Sequence, residues 1–505
     1  MKRLRLIFLF AILVFGAYLR LYKISQYMTF LGDEGRDMLV VLHMIVNHKF
    51  TLLGPTASVG GFFLGPIYYY FMLPFVWLWG LNPVGAAIMV ACFGIATIYL
   101  VYRVGTDLFD GWVGLIASAL YAASPLVIAY SRSSWNPNVV PFFAILLIYL
   151  LWKSVVQKRP RLIFWVGVVL GIGLQLHYLF LFLFGVVGVW YLLYGRKTEW
   201  LRDYALGIVG FLIGYGPFLA FEVRHGFPNT ISIIRFLLSG KDTGFRISEF
   251  VLTVSSVAYR MFGRLVLRLP PPEQLVNYSP AWQQFWLVFP VAALFASLAA
   301  LYWAFRLHKE QQKSVLLFGV WFIVPVLLFG LYKKAIYDYY FGILFPLPFL
   351  MSAVLLRMIG KKRIGAGIAA ILFAALWYWN WMGRPFLFAP NNQLGQTQRI
   401  AQVALSKTDG KPFNFALLTG GNSDYAYRFF FERWGRAPVT IENVAIDPER
   451  KTVTNQLIVI CEYPDCKPLG ASLWEIAGFG RAEILGSWNV PFVTIYKLGH
   501  YKGSS

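Results

Sequence analysis

The stretch Gly32-Asp33-Glu34-Gly35-Arg36-Asp37 sets three carboxylates and one arginine in six residues, directly after the first apolar segment of the chain. Neighbouring acids that are partly buried raise one another's proton affinity, which tunes a carboxylate toward general-base work near neutral pH. The same residues also suit the start of a helix. Asp33 can serve as the N-cap of a helix that MLVVLHMIV continues, with Glu34 and Asp37 in its first turn complementing the dipole. The two roles are compatible, because a carboxylate at a helix start is held in place and is therefore usable.

The elements around this cluster must hold it at a membrane surface. Residues 6 to 22 form an apolar run preceded by Lys2, Arg3 and Arg5, long enough to cross a bilayer. The excess of basic residues on cytoplasmic flanks then places the amino terminus inside and the acidic cluster outside. Composition agrees: 58% of residues are hydrophobic and 13% charged, with a mean hydropathy of +0.60, against about 25% charged in soluble domains. The net charge of +22 would suggest nucleic acid in a soluble protein. Here the basic residues gather at the ends of apolar segments, where they act as topology signals and contacts for lipid headgroups, so a nucleic-acid partner is set aside. No cleavable leader is expected, because the first segment runs into the acidic loop without a small-residue cleavage site.

Further spans are expected at 83–102, 112–129, 139–154, 162–176, 179–194, 204–221, 283–304, 315–331, 340–356 and 364–381, eleven with the first. Basic flanks such as Arg103, Lys153, Arg196-Lys197 and Lys361-Lys362-Arg363 mark their inner ends. Residues 66–79, rich in Tyr and Trp and interrupted by Pro74, fit a helix lying along the interface. The expected fold is thus a polytopic α-helical membrane module over 1–381. It carries a first external loop at 23–82 with juxtamembrane helices and a second at 222–282. With an odd number of spans the carboxyl terminus lies outside the plasma membrane.

From residue 382 the chain turns polar and its apolar runs shorten. FNFALLT, QLIVICE and FVTIYKL read as strands, and GQTQRIAQVALS and SDYAYRFFFERW as helices, giving a small extracytoplasmic α/β domain over 382–505. Cys461 and Cys466 fall within it and are expected to pair in an oxidising exterior, whereas Cys92 sits in a span.

The Asp33-Glu34 pair in a first external loop, the phrase LIASALYAASPLVIAYSR, and a Tyr-rich turn leading into LFPLPFLMSAVLLR together resemble the GT-C glycosyltransferases. The similarity covers about residues 5 to 380 and points to the branch containing protein O-mannosyltransferases and lipid A aminoarabinose transferases. It implies a sugar donor linked to polyprenyl or dolichyl phosphate and a glycan, lipid or protein acceptor. It also implies inversion at the anomeric carbon, with Asp33 as general base and Glu34 in support.

A phosphate leaving group needs cations, and Arg132, Arg224 with His225, and Lys333-Lys334 beside Tyr337 and Tyr339 all fall at outer ends of expected spans. His177 reads as a polar helix-end residue. Where relatives carry an aspartate after the YSR motif, this chain has SSWNPN, offering Asn136 and Asn138. An amide can hydrogen-bond a sugar but cannot take its proton or hold a divalent metal strongly. Ligand spacing therefore gives no support to a metal, and no other cofactor is called for. Three alternatives stay open: a transporter or flippase, a polymerase or ligase using the same lipid-linked saccharides, and a non-catalytic lipid-binding scaffold. Transporters tend to keep charges at mid-membrane and to show internal repeats, neither of which is evident here.

Overall fold

The computed structural model describes residues 2–57, 60–195, 199–270 and 272–503. Arg196 and Lys197, read above as an inner flank, lie outside the described residues. The chain forms two compact units. The first comprises residues 1–24, 51–72 and 86–389, and the second residues 25–50, 73–85 and 390–505. The acidic cluster thus belongs to the same unit as the polar tail.

The first unit is helical. Among the described residues six helices are long and apolar enough to cross a membrane: Arg3–Leu21, Pro83–Leu108, Asn136–Val155, Pro280–Leu307, Lys309–Phe329 and Arg363–Trp381. The expected span at 204–221 is two helices, Trp200–Gly214 and Gly216–His225, bent by 79°. Gly214, Gly216 and Pro217 cluster at that break, where glycine loosens the backbone and proline removes a donor. Four other expected spans are covered by shorter apolar helices: Gly111–Ala123, Leu162–Leu176, Tyr178–Tyr194 and Pro346–Ile359. Two of these correct the expected boundaries. The segment 112–129 breaks at Ser124-Pro125, and the helix expected from 340 starts at Pro346 after a 3₁₀ turn over Asp338–Ile343. In both cases proline at the first helical positions dictates the start. Residues 66–79 form the short helix Ile67–Leu78.

The second unit holds a four-stranded sheet, β1 (Asn414–Leu418), β2 (Gln456–Cys461), β3 (Ala482–Val490) and β4 (Val493–His500), in the order β1-β2-β4-β3. β1 and β2 are parallel, and β4 is antiparallel to both its neighbours. All residues of β1 and β2 are buried, although β1 stands at the edge of the sheet. β3 was not expected from the sequence; it is half-exposed and its register shifts between Ile484 and Gly486, so its alternation is broken. Cys461 and Cys466 are joined by a disulfide at the end of β2. Helices Gln393–Ser406 and Tyr425–Arg433 accompany the sheet.

The acidic helix, Gly32–Val46, packs in this unit along Tyr425–Arg433. Gly32, Gly35, Leu39 and Leu42 recur at alternating three- and four-residue spacing and are all buried, so they share one face. A Cβ at Gly35 would overlap the backbone of Tyr425 and Ala426, so only glycine permits this approach. Phe30, just before the helix, meets Phe429 and Phe430 edge-on at 5.8 and 5.6 Å.

Candidate active site

The helix start sorts its three acids. Helix geometry begins at Gly32 with Leu31 as the N-cap, so the expectation that Asp33 caps the helix is corrected. Glu34 does that work: its carboxylate reaches back to accept the Leu31 N–H at 3.0 Å and the Thr29 hydroxyl at 2.7 Å. This is the glutamate half of a capping box, and it satisfies a donor that the helix leaves open. Glu34 is buried, and burial raises its pKa. Asp37 is fully buried beside Arg36 at 2.8 Å, and burial, opposed by Arg36, pushes its pKa up to about 7. Asp33 is the exposed member, with 55% of its side chain accessible and an ion pair to Arg36 at 2.8 Å on the same helix face. Of the three, Asp33 is the carboxylate presented to an incoming molecule.

Two sequence-nominated groups in the first unit are occupied by its own backbone. Arg132 is buried and donates to the carbonyls of Leu19 and Tyr22, each at 2.7 Å, with Phe386 over its guanidinium. Asn136 is also buried and donates to Leu176 O at 2.6 Å, while Asn138 donates to Ser133 O at 2.9 Å. Lys333 binds Gly240 O at 2.8 Å and Lys334 pairs with Asp242 at 3.2 Å, so together they hold the turn before Ile247–Arg260. Arg224 and His225 are exposed at the end of Gly216–His225, with the His225 ring bonded to Phe221 O at 2.9 Å. Their motif hides a buried acid: Glu222 accepts the backbone and side-chain donors of Asn229 and Thr230 and so starts the helix Pro228–Leu238.

Tyr337 and Tyr339 stack at 5.9 Å within an aromatic cluster. Trp135 lies 4.4 Å from Tyr339, and Tyr340 and His177 lie 4.6 and 6.0 Å from it. His177 is buried, accepts the Leu179 N–H at 3.2 Å, and has its pKa pushed down to about 3 by burial, so it is neutral at any working pH.

The first unit also contains a cationic group that the sequence did not reveal. Asp338 is sandwiched between Arg260 at 2.5 Å and Arg264 at 2.8 Å, with all three side chains less than a fifth exposed. One carboxylate between two guanidiniums leaves a net positive charge. The arginines sit where Ile247–Arg260 passes into one turn of π-helix, Met261–Val266, inside a region expected to be a loop. π-turns of this kind recur at functional sites. Val266 and Leu267, next in the chain, line an apolar cavity of about 520 Å³ together with Trp282, Trp286, Leu356 and Trp379. Asp338 stood out in the sequence only as part of a Tyr-rich turn; its partners lie 74 and 78 residues away. Among the described residues no group of three or more His, Cys, Asp or Glu side chains converges as a metal site.

Comparison with known proteins defines the class. Residues 64–221 match the family model of dolichyl-phosphate-mannose-protein mannosyltransferases. The fold resembles that of ArnT from Cupriavidus metallidurans, solved with undecaprenyl phosphate, at a TM-score of 0.63, 14% identity and 97% coverage of both chains. It also resembles the archaeal oligosaccharyltransferase AglB from Archaeoglobus fulgidus, solved with an inhibitory peptide and a dolichol-phosphate. There the TM-score is 0.56 at 12% identity, over 98% of this chain and 74% of that one. No curated protein sequence matches the chain. The chain is a polytopic membrane protein with the GT-C glycosyltransferase fold. The match to the mannosyltransferase family model is confined to residues 64–221, and the likeness to ArnT is one of fold.

Proposed function

We propose that the protein moves a sugar from a polyprenyl- or dolichyl-phosphate donor to an acceptor hydroxyl on the outer face of the cell membrane, with inversion and with Asp33 as general base. The observation that carries this reading is the sorting of the acidic cluster. Glu34 is committed to the helix start and Asp37 is buried, which leaves Asp33 exposed on a rigid first turn. Asp33 takes the acceptor proton as the acceptor oxygen attacks the anomeric carbon. The bond to the phosphate oxygen breaks from the opposite side, and the lipid phosphate departs carrying the negative charge.

That leaving group calls for cations and its lipid for an apolar bed. Arg260 and Arg264, with their net positive charge, suit the phosphate; Arg224 is a further exposed contact, and the adjoining apolar cavity suits the isoprenoid chain. The stacked rings of Tyr337 and Tyr339 offer a platform for a sugar face. The lipid phosphates in the solved ArnT and AglB structures support the donor class. In this reading the amino terminus is cytoplasmic and the tail lies outside.

The test is transfer from a panel of radiolabelled polyprenyl-phosphate sugars by purified protein. The expected result is acceptor labelling by wild type and labelling slower by about 10² to 10⁴ in Asp33→Asn. Vesicle assays in which the intact lipid-linked sugar crosses the bilayer, with no transfer from any donor, would instead establish the flippase reading.

A further inference from the structure

Among the described residues Asp33 pairs with Arg36, one turn along the same helix, so where its carboxylate points depends on the first turn of that helix. A helix start is the part most prone to fray, because its first N–H groups lack partners within the helix. Here the open donor of Gly32 is taken by the polar tail: Asn422 Oδ1 accepts the Gly32 N–H at 2.9 Å, across 390 residues of sequence. The same oxygen accepts the Ser423 N–H at 2.9 Å, which fixes the amide plane.

The Asn422 amide nitrogen lies 3.5 Å from Glu462, and that carboxylate also accepts the Thr419 hydroxyl at 2.7 Å and the Tyr427 hydroxyl at 2.8 Å. Glu462 follows β2 directly and is bracketed by the bonded Cys461 and Cys466. Gly35 meets the backbone of Tyr425 and Ala426, and His43 pairs with Glu432 at 2.7 Å near the far end of the helix.

We infer that Asn422 is a positioning residue for sugar transfer, holding the Gly32 amide so that Asp33 projects from a fixed first turn. The inference rests on the reading of Asp33 as the base. It gives the tail a part in the reaction that the membrane helices do not supply. The positioning passes from the sheet through Glu462 and Asn422 to Gly32. A displacement of about 1 Å at a reacting group can cost up to a hundredfold in rate, so a single lost hydrogen bond here is felt at the chemical step.

The experiment compares Asn422→Ala with wild type in the full-length protein, reading kcat and KM for donor and acceptor beside thermal unfolding. The expected result is a fall in kcat of about tenfold or more, with KM for the donor within about twofold. In an Asp33→Asn background the same change should cost nothing further, because Asn422 acts through Asp33. Asn422→Asp keeps the acceptor oxygen and should recover most of kcat at high pH. Its new carboxylate near Asp33 should also move the acid limb of the pH-rate profile upward.

Should Asn422→Ala fail to fold, Asn422→Ser provides the same comparison, since its hydroxyl is too short to reach Gly32. Wild-type kcat in the Ala or Ser variant, with Asp33→Asn inactive, would overturn the positioning role alone. An active Asp33→Asn would overturn this role together with the base assignment. An unmoved pH profile in Asn422→Asp would also count against the positioning role.

Discussion

Asp33 and Asp338 are both aspartates beside arginines, yet their surroundings are opposite. Asp338 is 11% exposed and gripped by two guanidiniums, whereas Asp33 is 55% exposed and shares a single arginine on its own helix. A carboxylate enclosed by two guanidiniums is closed to an incoming molecule and serves to organise those cations. A carboxylate on an exposed first turn is open to one. The pattern of acid and arginine in the sequence therefore does not tell the two apart; exposure and the number of cations around the acid do.

The sharpest way to break this comparison is truncation at both sites. Asp338→Ala leaves two largely buried arginines facing each other, and removal of one partner from such a group costs about 3–5 kcal/mol. We expect a large loss of thermal stability. Asp33→Ala removes an exposed ion pair worth about 0–1 kcal/mol, so its unfolding should stay close to wild type. Equal stabilities for the two variants would erase the distinction.

Next in size is the cation pair itself. Arg264→Lys keeps the charge but loses the planar fork, and a hydrogen bond to a charged group is worth about 1.5–3 kcal/mol. Donor binding, measured by displacement of a labelled polyprenyl phosphate, should weaken about tenfold to a hundredfold. Arg224→Ala, at an exposed position, should weaken it only severalfold. The reverse order would move the phosphate site to Arg224.

Smaller still is the pH effect of Asp37. Its folded pKa of about 7 stands above the unfolded value, so between about pH 4 and 7 the folded state binds more protons than the unfolded one. Stability contributed by this group is present at low pH and is lost as pH rises through about 7. Asp37→Asn should flatten that part of the thermal-unfolding profile, and an unchanged slope would show that Asp37 does not titrate there.

Much of this architecture was legible in the chain. Apolar length located the helical segments, and short alternating apolar runs in the tail located β1, β2 and β4. The glycines of GDEGRD were the visible sign of a close approach, since Gly32 and Gly35 share a face at three-residue spacing. What they approach was not legible, because Asn422 and Ala426 lie far along the chain and no local pattern points to them. Arg260 and Arg264 were missed for a related reason. They belong to an amphipathic helix and a π-turn inside a stretch that hydropathy alone renders as loop. Asn136 and Arg132 show the converse: polar residues at the outer ends of spans looked available, but backbone carbonyls of neighbouring segments claim them.

The central claim is that Asp33 takes the acceptor proton. Its most direct test is the single-turnover rate of purified Asp33→Asn under saturating donor and acceptor, with folding and donor binding checked in parallel. Asparagine keeps the size of the side chain, and Glu34, not residue 33, secures the helix start, so the fold should be preserved. The expected result is a rate lower by about 10² to 10⁴, the usual contribution of a general base. Transfer at close to the wild-type rate would contradict the account.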